Sequence, residues 1–330
     1  MSDTKLLRVM VAMPAALIVA SFIFVAVYTY TQHDPTPHRL RVAFVGPPSA
    51  EKQVQAQLAE KAPGAFELRS YASEALARKA VLDRSVYGAY LFPGSVITAS
   101  AAGQGVAQAI DLVFGGAAQA MLSRLCSGAS AGACQYGMKN EDIRALPAND
   151  SHGLSSSGMQ AGLLLPSFVF GILLFVFGGV LPLTRRLVAI SLFAIGAGFV
   201  AALTVGPIVG ALAGHFWALF GIGAAFAAAT ALATYGLESI LGFAGTGLAA
   251  LLLILLGNST AGGAMNQEFL PGGFRQIGQA LPGGAAVRAV RNTVYFGGHH
   301  IGQALAVISL WALAGLALVL AAERLRGRKT

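Results

Sequence analysis

Six runs of apolar residues punctuate the chain, separated by short polar stretches and one long one. Val9 to Tyr30, Ala161 to Leu183, Leu187 to Ala213, Phe216 to Gly236, Ser239 to Gly257 and Ile301 to Ala322 form the series. Each is close to, or longer than, the roughly 20 residues with which an α-helix crosses a hydrocarbon core of about 30 Å. The pattern predicts six spanning helices. Within 216–257 the division rests on Gly-Leu-Glu at 236–238, which places Glu238 in a loop. The first run follows Lys5 and Arg8 as a signal peptide would. Its apolar stretch is about twice the 7–15 residues of such a core, and no small-x-small cleavage site follows, so a retained anchor is expected.

Residues 31–160 follow another rhythm. After Asp34-Pro-Thr-Pro, the stretch 39–46 has the β-branched and aromatic character of a strand. Residues 47–62 carry two prolines, Ser49 as an N-cap and a helical charge pattern. Further strands are expected at 65–71, 86–93 and in "SVITASA", with helices at 73–85, opened by Ser73, and at 106–125. Alternating strands and helices predict a small α/β domain. The stretch 140–160 reads as a polar connector to the second span.

Composition agrees with a membrane protein. Apolar residues make up 55% and charged residues 11% of the 330 positions, and the mean hydropathy is +0.67. Basic residues in short loops and tails stay on the cytoplasmic side. Lys5 and Arg8, Arg185 and Arg186, and Arg324, Arg326, Arg328 and Lys329 all fall on one side of a six-span arrangement. Both termini are therefore expected in the cytoplasm, with 31–160 and 258–300 outside the plasma membrane. Arg185, Arg186, Arg324 and Arg326 are expected to anchor the inner surface to anionic lipid. The net charge of +8 is then a topology signal and no argument for nucleic-acid binding. The chain divides into a tail and first span (1–30), an extracytoplasmic α/β domain (31–160), spans two to five (161–257), an outer helical hairpin (258–300), and the last span with its basic tail (301–330).

Motifs for chemistry are scarce. No Gly-Lys dipeptide exists, which excludes a Walker-type phosphate loop, and no HExxH occurs. Asp150, Ser151 and His152 are adjacent, the wrong arrangement for a triad assembled from distant segments, and read as a polar linker. His299 and His300 diverge on a helix and mark a wet interface rather than a metal site. With Glu238 assigned to a loop, no span contains an ionisable group, which argues against a carboxylate-based proton route. No catalytic residue, cofactor or metal is expected. Cys126 and Cys134 are the only cysteines. In an oxidising compartment they can close a small loop as a disulfide, or else remain two thiols.

The most unusual segment lies before the last span. Leu-Pro-Gly-Gly occurs at 270–273 and again at 281–284, and each copy reads as a break followed by a short helix. In the second, Arg288, Arg291, Asn292 and Tyr295 fall at i, i+3, i+4 and i+7, beside a stripe of Val287, Val290 and Val294. That is an amphipathic helix, suited to dipping into the outer interface as half of a re-entrant hairpin. It either seals the outer face or forms a gate that touches substrate. The two arginines are expected to reach headgroups, water or outer-domain carboxylates.

"VYGAYLFPGSV" (86–96), "EDIRALPANDSHG" (141–153) and "LPGGAAVRAVRNTVYF" (281–296) resemble type-2 ABC exporter permeases. The phage-infection-protein-like branch is nearest, especially its short actinobacterial-type members. The resemblance extends to the order of elements: one span, an α/β domain, and five further spans with a broken hairpin before the last. It implies a six-helix half-transporter that pairs as a homo- or heterodimer and takes its ATPase from a separate chain. The chain departs from that pattern on its inner side. The N-terminal tail is about eight residues long, and the loop between spans two and three is little more than "PLTRRL". The expected function is export of hydrophobic or amphipathic molecules. The alternative is a non-transporting scaffold or receptor whose outer domain binds an envelope protein; an intramembrane enzyme ranks third.

Overall fold

The computed structural model describes residues 19, 22–23, 25–31, 36–127, 139–263 and 265–327. Its first part is an α/β domain. Strands β1 (Leu40–Val45), β2 (Phe66–Ser70), β3 (Gly88–Leu91), β4 (Ser95–Thr98) and β5 (Lys139–Asp142) form one sheet in the order β2-β1-β3-β4-β5. Strand β1 runs parallel to β2 and β3, β4 returns antiparallel beside β3, and β5 pairs parallel with β4. Helices α1 (Pro48–Lys61), α2 (Glu74–Leu82) and α3 (Gln104–Cys126) cover it.

The period-two pattern of β1 explains the layers. Leu40, Val42 and Phe44 face Tyr90, Val96 and the α3 residues Val106, Ile110, Phe114 and Ala118. Ala43 faces the other way, onto Ala77 and Val81 of α2. The Ser73 hydroxyl caps α2 as expected, accepting from the Leu76 amide at 3.4 Å. At α1 the expected Ser49 cap is replaced by Pro47, with Pro48 in the first turn. Proline lacks the amide that would go unpaired there anyway. Strand β5 falls at the start of the expected connector 140–160 and has no apolar alternation. It is an edge strand, held to α2 by Arg78, which donates to both carboxylate oxygens of Glu141 at 2.8 and 2.5 Å.

The second part is a helical bundle. Its elements are α4 (Ser155–Phe177), α5 (Leu183–Leu203), α6 (Phe216–Leu241), α7 (Phe243–Ala249), α8 (Phe274–Ala280), α9 (Pro282–Tyr295) and α10 (Ile301–Gly327). Helix α5 continues into a π-helical turn, Thr204–Ile208, that contains Pro207. Helix α7 continues through a second one, Ala250–Leu256, and ends at Ser259. Among the described residues five helices are long and apolar enough to cross a membrane: Gln104–Ser123, Ser155–Val180, Leu183–Ile208, Phe216–Leu241 and Ile301–Arg326. The first of these is α3, whose apolar face lies on the sheet. The other four form the bundle, and Leu165, Leu173, Leu192, Ile195, Leu310 and Leu313 stand exposed on its surface. The protein is membrane-embedded.

Helix α6 lies between α4, α5 and α10. Small residues let the backbones close up, as expected where lipid supplies no hydrophobic drive between helices. A Cβ on Gly236 would lie 2.5 Å from the carbonyl oxygen of Gly315 on α10.

Four expectations are corrected here. The break at 236–238 does not exist: α6 runs through it to Leu241, and the turn is at Gly242, with φ +64°. The predicted fifth span becomes Phe243–Ser259, shorter than the others. Glu238 is consequently fully buried in α6 instead of lying in a loop, so the spans do contain an ionisable group. Its Oε1 accepts from the Thr246 hydroxyl at 2.6 Å, while Oε2 has no partner among the described residues. Arg186, expected to reach lipid, is only 6% exposed. It donates to the Tyr235 hydroxyl at 2.6 Å, to Glu323 at 2.7 Å and to the Leu181 carbonyl at 2.8 Å. Arg185, Arg324 and Arg326 are exposed as expected.

Most of the predicted first span lies outside the described residues, though 25–31 are helical. Cys126 ends α3. Its expected partner Cys134 also lies outside the described residues.

Candidate functional site

Helix α9 is where the two parts of the protein meet. The sequence gives it a polar and an apolar stripe, and the structure buries most of each, leaving Arg288, Val294 and Tyr295 half-buried. Ala285, Ala286, Ala289 and Val290 join the bundle core, while the polar stripe turns toward the α/β domain and the loops above the bundle. The helix is therefore enclosed by protein and not an amphipath at an interface.

Arg291, 8% exposed, uses its whole guanidinium as a clamp. Nε donates to the Ser156 hydroxyl at 3.1 Å and Nη1 to the Gly262 carbonyl at 3.0 Å. Nη2 donates to the carbonyls of Gly153 and Gly263 at 3.0 and 3.2 Å. One turn on, the Tyr295 hydroxyl donates to Asp150 Oδ2 at 3.1 Å, and Asp150 Oδ1 accepts from the Ser155 amide at 3.0 Å. Burial, with Asp150 beside it, pushes the Tyr295 phenol well above its ordinary value. Arg288 donates to Gln267 Oε1 at 3.2 Å and to the Gln279 carbonyl at 2.9 Å. Among the described residues neither arginine binds a carboxylate; Arg291 is buried against neutral oxygens, which corrects its expected reach, while Arg288 is half-buried. Asn292 accepts from Arg84 of the α/β domain, whose guanidinium also sits 5.0 Å from the Phe296 ring centroid. Of the segments that carried the family resemblance, 141–153 meets 281–296 directly, through Asp150 and Gly153.

The polar linker is also corrected in part. Asp150 is buried and bonded as described, whereas Ser151 and His152 are exposed and form no triad with it. His299 and His300 are both exposed, with His299 Nε2 3.7 Å from Asp83. No group of three metal-ligating side chains assembles among the described residues.

Beside Arg288 lies a cavity of about 370 Å³ between the sheet, the Asn266–Glu268 turn, α8 and the start of α10. Six arginines line it: Arg41, Arg69, Arg84, Arg275, Arg288 and Arg291. Among the described residues Glu268 is the one carboxylate in the lining, and it accepts a hydrogen bond from Tyr87. Burial and that carboxylate push the Tyr87 phenol well above its usual value. Burial lowers the affinity of Arg288 for its proton; Glu268 opposes this and Arg84 reinforces it. Sequence reasoning found Arg288 and Arg291 but missed the other four arginines. The available signal was the excess of Arg275, Arg288 and Arg291 over Glu268 in 258–300. Nothing local tied Arg41, Arg69 or Arg84 to them.

A second feature is apolar. Helices α4 and α5 both pack on α6 and leave between them a groove of about 590 Å³, lined by Gly158, Gly162, Pro166, Phe193, Gly196 and Val200 among others. Gly158, Gly162 and Gly196 have open space where a Cβ would stand.

No family model, curated protein or solved structure matches the chain.

Proposed function

We propose that the protein is a permease-like membrane subunit for export of hydrophobic or amphipathic molecules, working as a dimer with any ATPase on a separate chain. The groove between α4 and α5 carries this reading. It is apolar along its length, open to the bundle surface, and floored by glycines that leave room for a guest. Its volume falls in the range of about 300–1,000 Å³ usual for small-molecule sites. In this reading both termini are cytoplasmic and the α/β domain lies outside. Helices α8 and α9 form a re-entrant hairpin whose tip is held by the Trp311 indole, which donates to the Ala280 carbonyl at 2.8 Å. Trp311 is ten residues into α10, so the tip lies roughly 15 Å along that helix from its first residue.

Two observations favour the scaffold reading. The turn between α4 and α5 is tied down by Arg186, and α6 joins α7 through Gly242 alone. Both features leave a docking ATPase little to grip.

Filling the groove separates the two readings. In proteoliposomes carrying a fluorescent amphipathic lipid, Gly196→Trp should abolish movement of the probe while leaving melting temperature and dimer content unchanged. Mass spectrometry of proteins that co-purify in mild detergent supplies the second readout. An ATPase is expected; an envelope enzyme, together with no probe movement by the unmodified protein, rejects the permease.

A further inference from the structure

We infer that the arginine-lined cavity binds a multiply charged anion of the phosphate class, borne by a free phosphate or by a phospholipid headgroup. The inference rests on this cavity alone and stands whether or not the α4–α5 groove carries cargo.

Charge is the first argument. Six guanidiniums surround about 370 Å³, and among the described residues the lining offers Glu268 as its sole carboxylate. Arg69 has an ion-pair partner outside the lining, Glu67 at 3.1 Å. Arg84, Arg288 and Arg291 direct their donors at neutral oxygens. Neutral acceptors satisfy hydrogen bonds without compensating charge, so the repulsion among these groups persists. Among the described residues the guanidiniums of Arg41 and Arg275 have no hydrogen bond or ion pair, although that of Arg41 lies 6.0 Å from the Tyr87 ring centroid. Their forks remain available.

Ligand chemistry follows from the donors. Guanidinium is planar, stays charged and presents paired donors that match two oxygens at once. Arginines reaching one space from β1, α8 and α9 suit a group with several terminal oxygens, which favours phosphate over a single carboxylate. The cavity has the size of a small-ligand site and is too small for a folded partner. The cavity reaches the surface beside the bundle: His300, just before α10, and Gln303, in its first turn, line it and are exposed. A headgroup at that end of the bundle can enter sideways, and a soluble phosphate can enter from water.

The test uses the full chain. Inorganic pyrophosphate is titrated calorimetrically against detergent-solubilised protein. Phosphatidic acid is compared with phosphatidylcholine in nanodiscs, with retained lipid counted by native mass spectrometry. The Arg41→Gln/Arg275→Gln double variant leaves the Arg291 clamp untouched, and Glu268→Gln changes the site in the opposite sense. At least one phosphate-bearing probe should bind saturably. The double variant should weaken it by tenfold or more with an unchanged melting temperature, and E268Q should tighten it. Selective retention of phosphatidic acid assigns the headgroup source; pyrophosphate binding of equal strength assigns the free anion. If the double variant is unstable, Arg275→Gln alone with E268Q gives the same opposed pair of shifts. Absence of saturable binding by either probe, or equal affinity across the wild type and variants, overturns the inference.

Discussion

Arg291 of α9 and Gly153, in the segment leading into α4, are joined through one guanidinium nitrogen and one carbonyl oxygen 3.0 Å apart. The same side chain holds Ser156, Gly262 and Gly263, so a single residue fastens three stretches far apart in sequence. Arg291→Gln strands several buried carbonyls, at a cost of about 2–4 kcal/mol. Arg288→Gln, whose partners are more exposed, should cost under about 1 kcal/mol. Thermal melts of the two variants in detergent test the order; equal losses would show that the clamp contributes nothing special.

The two Leu-Pro-Gly-Gly copies should respond differently to the same change. A Cβ on Gly272 meets nothing within 4 Å, whereas on Gly284 it would lie 2.1 Å from the Gly278 carbonyl oxygen. Gly272→Ala should be neutral in expression and melting temperature, and Gly284→Ala should lower both. Tolerance of the second would mean that α8 and α9 are not in close contact.

At the other end of the bundle, Arg186 joins α5 to Tyr235 of α6 and Glu323 of α10. Arg186→Gln removes the shared donor, and a loss of about 1–3 kcal/mol is expected. Glu323→Gln should cost less, because Tyr235 and Leu181 keep their partner. Chemical denaturation of both single variants reads the difference, and a larger loss for E323Q would contradict this arrangement.

Acid should loosen β5 before the rest of the sheet. The hydrogen bonds from Arg78 hold the Glu141 carboxyl below its ordinary value, aided by charge attraction from Arg78 and Lys139. A depressed carboxylate stabilises the fold fully above its unfolded value, about 4.3, and that contribution is lost as pH falls through the lower folded value. Amide exchange at Lys139–Asp142 should accelerate there ahead of exchange in β1, and Glu141→Gln should remove the pH dependence. Identical acid responses in β1 and β5 would refute it.

Membrane sidedness is best probed at Lys61, which is exposed in the last turn of α1. Gly64 would serve badly, because its φ of +74° strains any side chain, and at Gly103 a side chain would strike Asn266. An impermeant thiol reagent should label Lys61→Cys from outside, and a reporter fused after Thr330 should act inside. Labelling at Lys61→Cys only after cell lysis would reverse the assigned orientation.

Much of the architecture was legible because lipid and water impose strong patterns. Uninterrupted apolar runs marked α4, α5, α6 and α10, and β-branched and aromatic residues marked β1. Local signals failed where distant packing decides. The Gly-Leu-Glu at 236–238 looked like a break, yet Gly236 is there for close approach to Gly315, and Glu238 follows it into the interior because Thr246 supplies one hydrogen bond. Strand β5 has no apolar face, and only its neighbour β4 and Arg78 make it a strand. For the candidate site, the sequence showed that Arg288 and Arg291 share a face of α9. It could not show that this face looks onto Arg41 and Arg84, because that depends on how a sheet domain seats on a bundle.

The wide turn at Ala250–Leu256 has a further consequence. A π-helical turn pairs residue i with i+5 and so holds one residue more than an α-turn. Each residue in a helix advances its side chain by roughly 100°. The surplus residue therefore sets the angle at which the helix delivers Asn258 and Thr260. Asn258 donates to the Tyr28 hydroxyl at 2.6 Å, and the Thr260 carbonyl accepts from Gln267, which in turn receives Arg288. The aim of Arg288 into the cavity is thus phased by an irregularity a full turn or more away, inside a stretch of plain leucine and isoleucine.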